Sequence, residues 1–197
     1  MSDGSSSYAA IGIPQGLITD QETGEVGGAV RRGGELVTLD PVGYGMWTTL
    51  LTPLTPDSAA AIASARGWGD AGPVIGRLES ASLLARIDRK QVTNGTLLPL
   101  RPIPLGCGLG NLGGDPGRFE IQSATLSHPA PMSLDVVSVM FWWEFDGASS
   151  LQEIASLMTS RIPGLSLPAA HAIAARLAYG LMVNRMLYLD FPRGAKS

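Results

Sequence analysis

Cysteine and histidine are scarce in this chain of 197 residues, which contains one cysteine, Cys107, and two histidines, His128 and His171. A single cysteine cannot form an internal disulfide, and the histidines lack the close spacing of a zinc ligand pair. We therefore expect neither a disulfide framework nor a metal site, and we expect no bound cofactor.

Long apolar runs are also missing. A helix that crosses a membrane needs about 18 or more apolar residues in a row, and no segment of this sequence approaches that length. The start, MSDGSSSYAA, has neither the basic residues nor the apolar stretch of a signal peptide. The sequence therefore predicts a cytoplasmic protein that does not act at a membrane.

Charge is the third property in short supply, since charged residues make up 16% of the chain and the net charge is −3. Proteins that bind nucleic acid usually carry a basic stripe, but the basic clusters here are short: RR at 31–32 and RIDRK at 86–90. With 45% hydrophobic residues the composition is that of a globular protein. The length suits one large domain or two domains.

What the sequence does contain is an internal repeat, visible when it is compared with itself at an offset of 95 residues. VTLDPVGYGMW at 37–47 lies opposite MSLDVVSVMFW at 132–142, and eight identities occur over the 37 positions 37–73 without a gap. The identical residues are Leu39, Asp40, Val42, Trp47, Ala60, Arg66, Gly69 and Pro73, matched by Leu134, Asp135, Val137, Trp142, Ala155, Arg161, Gly164 and Pro168. The repeat predicts one small module built twice.

The second copy predicts three helices with clear start signals. Asp135 is a suitable N-cap for VVSVMFWWEF, and Ser150 with Glu153 forms a capping box at LQEIASLMTSR. Pro168 suits the first turn of a third helix that contains AAHAIAARLAYGLMVNR, and MLYLD predicts a closing strand.

The first copy follows the same plan. Asp40 and Thr55 are the predicted caps of its first two helices, and a proline follows each of them directly. PVIGRLESASLL, residues 73–84, predicts the third helix. The Asn94–Gly95 pair that follows predicts a hairpin turn.

Strand-like stretches precede the helices in both copies: YAAIGI, GGAV and GELVTLD in the first, RFEIQSATL and MSLD in the second. We therefore predict an α+β fold with two tandem winged-helix modules, each a small antiparallel sheet with three short helices. The predicted bounds are 1–98 for the first module, 99–118 for a Pro/Gly-rich connector and 119–197 for the second module.

A strand ending in LD, a helix carrying Val and Trp, and a Thr or Ser cap that opens the next helix together resemble the PqqD-like winged-helix domains. These domains recognise leader peptides in the biosynthesis of ribosomally made, post-translationally modified peptides. The resemblance covers roughly residues 25–90 and 119–190. It implies that a leader peptide adds as an extra strand to the edge of the sheet, beside the third helix.

The resemblance also implies which residues contact the peptide in each copy, from the edge strand and from the facing helix. In the first copy they are Leu36, Val37, Thr38, Arg77, Ser80 and Leu84, and in the second Met132, Ser133, Ile173, Arg176 and Tyr179.

The first helix of the second copy carries an additional apolar stripe. Val136, Val139 and Trp143 follow each other at i, i+3 and i+7, whereas the first copy is less apolar at the matching positions. A helix that is apolar on two sides must be covered on both. Our hypothesis is that this stripe packs against the first copy or against a second subunit.

The sequence does not supply a catalytic centre. GLGNLG, residues 108–113, matches the dinucleotide-binding pattern by letter, but prolines precede it and GDPGRFE, which follows, cannot start a long helix. The sequence favours a flexible linker there. The histidines are isolated, and the acidic residues fit caps, loops and surface positions, so we assign no catalytic residue and no metal ligand.

These observations favour a non-catalytic protein that binds the leader of a ribosomal precursor peptide and presents it to a partner modifying enzyme. The expected partners are the precursor peptide and that enzyme, with a second copy of the chain as a further candidate; nucleic acid and membranes are not favoured. The alternatives are a winged-helix DNA-binding transcription regulator and a subunit of a peptide-modifying enzyme.

Overall fold

A computed structural model of the chain describes residues 6–19, 21, 24–88, 92, 95–111, 117–126 and 130–192. The chain divides into two compact units, Met1–Gln91 and Val92–Pro192. Both combine helices with small antiparallel sheets, which confirms the predicted α+β class. In the part of the chain that is described, no helix is both long enough and apolar enough to cross a membrane.

The first unit contains two small sheets and three helices within its described residues. The elements are β1 (Ser6–Ala10), β2 (Ile13–Thr19), β3 (Val26–Arg32), β4 (Glu35–Leu39), α1 (Pro41–Thr49), α2 (Pro56–Ala65), α3 (Ala71–Ser80) and β5 (Leu84–Asp88). Strands β2, β3 and β4 form an antiparallel sheet with β4 at one edge, and β1 pairs with β5.

The second unit has the same element order and the same strand pairing. The elements are β6 (Arg101–Pro104), β7 (Gly106–Gly110), β8 (Arg118–Ser123), β9 (Met132–Asp135), α4 (Val136–Trp143), α5 (Leu151–Arg161), α6 (Leu167–Val183) and β10 (Leu187–Asp190). Strands β7, β8 and β9 form an antiparallel sheet with β9 at one edge, and β6 pairs with β10.

The third helix ends in the same way in both units. One backbone bond closes each helix at 2.8 Å, from Leu83 N–H to the Leu78 carbonyl and from Met186 N–H to the Leu181 carbonyl. The residue before each donor has a left-handed backbone conformation, with φ 53° at Ser82 and φ 55° at Arg185. This geometry is a Schellman-type helix end. Because it occurs once in each unit, it shows which residues at the end of the third helix correspond, although their sequences differ.

Each three-stranded sheet also has a β-bulge at the corresponding place. The register shifts between Pro14 and Gly16 where β2 pairs with β3, and between Gly108 and Gly110 where β7 pairs with β8. Gly16 and Gly110 both have positive φ, which glycine adopts without a steric cost. The repeat therefore begins well before Leu39, the first of the identical residues.

The prediction of a connector at residues 99–118 is wrong, because this segment supplies two strands to the second unit. Arg101–Pro104 pairs with β10, and Gly106–Gly110 pairs with β8. The start of GLGNLG is therefore a strand and not a linker, while residues 112–113 lie outside the described part. A Cβ on Gly108 would lie 3.3 Å from the Trp142 ring, so glycine leaves room for the indole beside β7.

Side-chain caps confirm most of the predicted helix starts. The residues that accept a hydrogen bond from a backbone N–H of the first turn are Asp40, Thr55, Asp70, Asp135, Ser150 and Ser166. Ser150 and Glu153 form the complete capping box. These local signals were readable because a cap needs only a few consecutive residues.

Helix α3 is shorter than predicted. It ends at Ser80, because the left-handed Ser82 turns the chain out of the helix. Leu84, predicted on this helix, instead lies buried in β5 opposite Ala10, so that prediction is wrong. The predicted hairpin turn includes Asn94, which lies outside the described residues. Strand β5, before this turn, pairs with β1, and the next described strand, β6, pairs with β10, so β5 and β6 do not form a hairpin with each other.

The core of the first unit is built around Trp47. Its side chain is fully buried, and Nε1 donates a hydrogen bond to the Ile11 carbonyl at 3.1 Å. Trp142, the matching residue of the second unit, is only half-buried, and its Nε1 has no hydrogen-bond partner within the described residues. The two tryptophans, identical in the repeat, therefore have different structural roles.

We expect Glu153→Gln to remove part of the dependence of stability on pH. The Ser150 backbone N–H, and next the Ser150 hydroxyl, lower the pKa of Glu153 below its ordinary value of 4.5. A lowered folded pKa gives stability that is present above the unfolded pKa and lost as pH falls through the folded pKa. The variant should be less stable than the wild type at pH 7 and equal to it at strongly acidic pH, as measured by urea unfolding.

The control for this variant is Gln152→Ala, which changes the neighbouring side chain and leaves the capping box intact. It should keep the pH dependence of the wild type. Equal pH profiles for Glu153→Gln and the wild type would contradict the assignment.

Candidate functional site

A groove in the first unit lies between the edge strand β4 and helix α3. We call it the β4–α3 groove, and its volume is about 280 Å³. Its lining residues are Val37, Thr38, Leu39, Asp40, Gly43, Val74, Arg77, Leu78 and Ala81. Most of these are apolar, so the groove suits an apolar side chain better than a small polar molecule.

The helical wall of the groove continues the hydrophobic core. Val74, Leu78 and Ala81 recur at i, i+4 and i+7, which places them on one face of α3. Val74 and Leu78 belong to the buried core, and Ala81 packs against it. The groove wall is therefore held by the same contacts that hold the fold.

An ion pair joins the two sides of the groove. Asp40 caps α1 by accepting from the Gly43 N–H at 2.5 Å, and its other carboxylate oxygen lies 3.1 Å from Arg77 Nη2. Both charged side chains are more than half exposed, so water screens the attraction and its contribution to stability is small. Its role is to place one cation and one anion at the groove.

The C-terminal end of α3 is tied to the sheet by Arg32. One guanidinium nitrogen donates to the Ala81 carbonyl, and the other donates to Glu35 at 2.7 Å. In the second unit the Ser123 hydroxyl makes the corresponding link, donating to the Arg185 carbonyl at 2.8 Å. Both contacts fix the distance between helix and sheet, and hence the width of the space between them.

Among the strands that the structure describes, β4 pairs only with β3, so its other edge is unshared. It joins β3 through a two-residue turn, Gly33 and Gly34, closed by the pair Arg32 and Glu35. In a two-residue hairpin the closing pair exchanges both backbone bonds, and bonded pairs then alternate along the ladder. The backbone groups of Leu36 and Thr38 therefore point away from β3.

A second cavity, of about 340 Å³, adjoins the groove at the end of β4. It is formed by the end of the β2–β3 hairpin and shares Thr38, Leu39 and Asp40 with the groove. Ile18 and Val26 line it and are exposed apolar side chains. The last residues of β4 thus lie between two concave surfaces.

The structure brings together part of the set predicted for the first unit. Val37, Thr38 and Arg77 line the groove, and Leu36 is exposed on the same strand. Ser80 does not line it, and its hydroxyl donates to the Gly76 carbonyl. The lining residues that sequence reasoning missed are Leu39, Asp40, Gly43, Val74, Leu78 and Ala81; the helical spacing of the last three was the available signal.

In the second unit Met132 and Ser133 lie on the edge strand β9 as predicted. The predicted helix positions are shifted, because α6 has 17 residues and α3 has 10. Counted from the shared helix end, the residues that match Arg77 and Ala81 are Gly180 and Asn184. Ile173, Arg176 and Tyr179 do lie on α6, but at positions earlier along the helix.

The three residues of the apolar stripe that was predicted to form an interface differ in their solvent exposure. Val139 is 1% exposed, whereas Val136 is 46% and Trp143 61% exposed. The Trp143 ring packs edge-on against Phe119 at 5.8 Å between centroids. We call the surface formed by Val136, Trp143 and Phe119 the Trp143 patch.

Within the described residues, no group of three His, Cys, Asp or Glu side chains could hold a metal ion, and His128 lies outside them. No protein-family model matches the chain, and no curated protein matches it either.

Proposed function

We propose that the first unit binds an extended peptide, the leader of a ribosomal precursor, as an additional strand on β4. The observation that carries this proposal is the combination of an unshared strand edge with an apolar groove beside it. The edge offers backbone hydrogen bonds for affinity, and the groove selects a side chain of the peptide. A non-catalytic protein of this kind would present the precursor to a modifying enzyme.

The doubled arrangement of strands, three helices and a closing strand supports the proposal of two winged-helix units of the PqqD-like kind. In each unit a hairpin and an edge strand precede the helices, and a final strand pairs with the first one. A cytoplasmic location is part of the same proposal, since a ribosomal precursor is made there.

Thr38→Pro is the direct test. Proline removes the backbone N–H that points away from β3, and it leaves the bonds of Val37 and Leu39 to β3 in place. Losing one hydrogen bond of about 1.4 kcal/mol weakens binding about tenfold. The measurement is fluorescence anisotropy with a short labelled peptide, selected on the wild-type chain from a displayed random library.

The control is Thr38→Ala, which keeps the backbone N–H and should bind within about threefold of the wild type, well under the tenfold effect of one hydrogen bond. Circular dichroism verifies that both variants are folded. A folded Thr38→Pro variant with wild-type affinity would contradict strand addition at this edge. Failure of the library and of leader peptides encoded beside the gene to bind would contradict the function itself.

The Trp143 patch supports a proposed site for the modifying enzyme or for a second copy of the chain. An exposed tryptophan packed against a half-buried phenylalanine, with an exposed valine on the same helix, is the composition of an interaction surface. In the first unit the residue that matches Trp143 is Thr48. The two units therefore suit different tasks, peptide binding in the first and assembly in the second.

The transcription-regulator alternative has weaker support. A recognition helix reads bases through arginine, lysine, asparagine and glutamine. The exposed residues of α3 include a single such side chain, Arg77, which is paired with Asp40, and those of α6 include a single one, Arg176. We therefore prefer peptide binding to DNA binding.

A further inference from the structure

The two units can be compared position by position at the groove. Val37 pairs with Val30 on β3, and Met132 pairs with Ile121 on β8, at matching places in the two sheets. Asn184, the last residue before the left-handed turn, stands where the first unit has Ala81. The space between β9 and α6 is thus the counterpart of the β4–α3 groove.

In the second unit the side chain of Met132 reaches across this space to the helix. Its methyl carbon lies 3.4 Å from the point that a Cβ on Gly180 would occupy. Its sulfur is 3.8 Å from Asn184 Nδ2, which also donates to the Gly180 carbonyl at 2.8 Å. Valine at the same place in the first unit is too short to make this contact, and a cavity is present there instead.

We propose that the second unit contains a latent peptide groove that its own Met132 closes, so that one chain binds one peptide. This inference rests on the proposed function of the first unit. The edge of β9 remains a strand edge, with Ser133 at the position of Thr38. What is blocked is the entry of the peptide side chain, because the methionine occupies the space that this side chain requires.

The test gives the second unit the residues of the first. Met132→Val combined with Asn184→Ala reproduces Val37 and Ala81 and removes both groups that fill the space. Titration calorimetry of the full chain uses the synthetic peptide selected on the wild type. The expected stoichiometry is one peptide for the wild type and two for the double variant. Thr38→Pro added to the double variant should weaken one of the two sites about tenfold and leave the affinity of the other unchanged.

The outcomes separate the two proposals. A wild type that binds no peptide fails the proposed function. A wild type that binds one peptide, with a folded double variant that also binds one, overturns the latent groove, and a wild type that binds two overturns it as well.

A measurement on the wild type alone gives an independent check. The methyl signal of Met132, assigned through Met132→Val in a chain labelled with ¹³C at its methionine methyl groups, should not shift at saturating peptide. A shift of this signal during the titration would show that peptide enters the second groove, which contradicts the closure.

Discussion

Replacing Arg101 with methionine should destabilise the second unit by about 3–5 kcal/mol, the loss typical of removing one partner from a buried ion pair. Arg101 is 6% exposed and Asp190 is fully buried, and Arg101 Nη2 lies 2.6 Å from Asp190 Oδ2. Arg101 also donates to the Gly147 carbonyl at 2.8 Å. The variant leaves the Asp190 carboxylate buried without the guanidinium that compensates its charge.

The matched control is the double variant Arg101→Met with Asp190→Ile. In the first unit the corresponding strand pair is Ser7 and Ile87, which shows that the fold accepts a pair without charges at this place. Removing both charges should therefore recover most of the lost stability. Urea unfolding followed by the indole N–H signals of Trp142 and Trp143 measures the second unit, and a double variant as unstable as the single one would contradict charge burial as the cause.

Trp47→Ala should cost the first unit about 3–5 kcal/mol, as is usual for a large aromatic side chain removed from a core. The side chain is fully buried in the cluster that also contains Val74 and Leu78, two residues of the groove wall. The variant also loses the hydrogen bond from Nε1 to the Ile11 carbonyl. We expect loss of peptide binding together with loss of the folded signal of Trp68.

Trp142→Ala is the comparison for this prediction, because the same residue type occupies the matching position of the repeat. Its ring is half-buried against β7, and its Nε1 has no partner within the described residues, so the loss should be smaller. Urea unfolding curves of both variants provide the measurement. Equal losses in the two units would contradict the difference in role.

The sequence was informative where the fold depends on neighbouring residues. The caps at Asp40, Thr55, Asp135 and Ser150 were readable because each needs only the residues of one helical turn. The edge strands β4 and β9 were located for a related reason, since each leads directly into a capped helix. Among the residues that line the β4–α3 groove, Val37 and Thr38 on the strand and Arg77 on the helix were predicted from the sequence.

The sequence was less informative where distant segments pair. Prolines and glycines at residues 101–110 indicated a connector, yet β6 and β7 are ordered by partners in β10 and β8. Tertiary pairing overrides local propensity in such strands. The helix wall of the groove was misplaced because the length of α6 differs from that of α3, a difference that an ungapped comparison cannot detect.

The bulges on β2 and β7 limit edge-to-edge pairing between copies of the chain. A small sheet with two open edges could add strands on both sides and grow into a filament. Here the edge opposite β4 carries a bulge with Pro14 and Gly16, and the edge opposite β9 carries one with Gly108 and Gly110. An irregular edge resists a regular partner, so the strand addition that we propose is confined to the β4 side of its sheet.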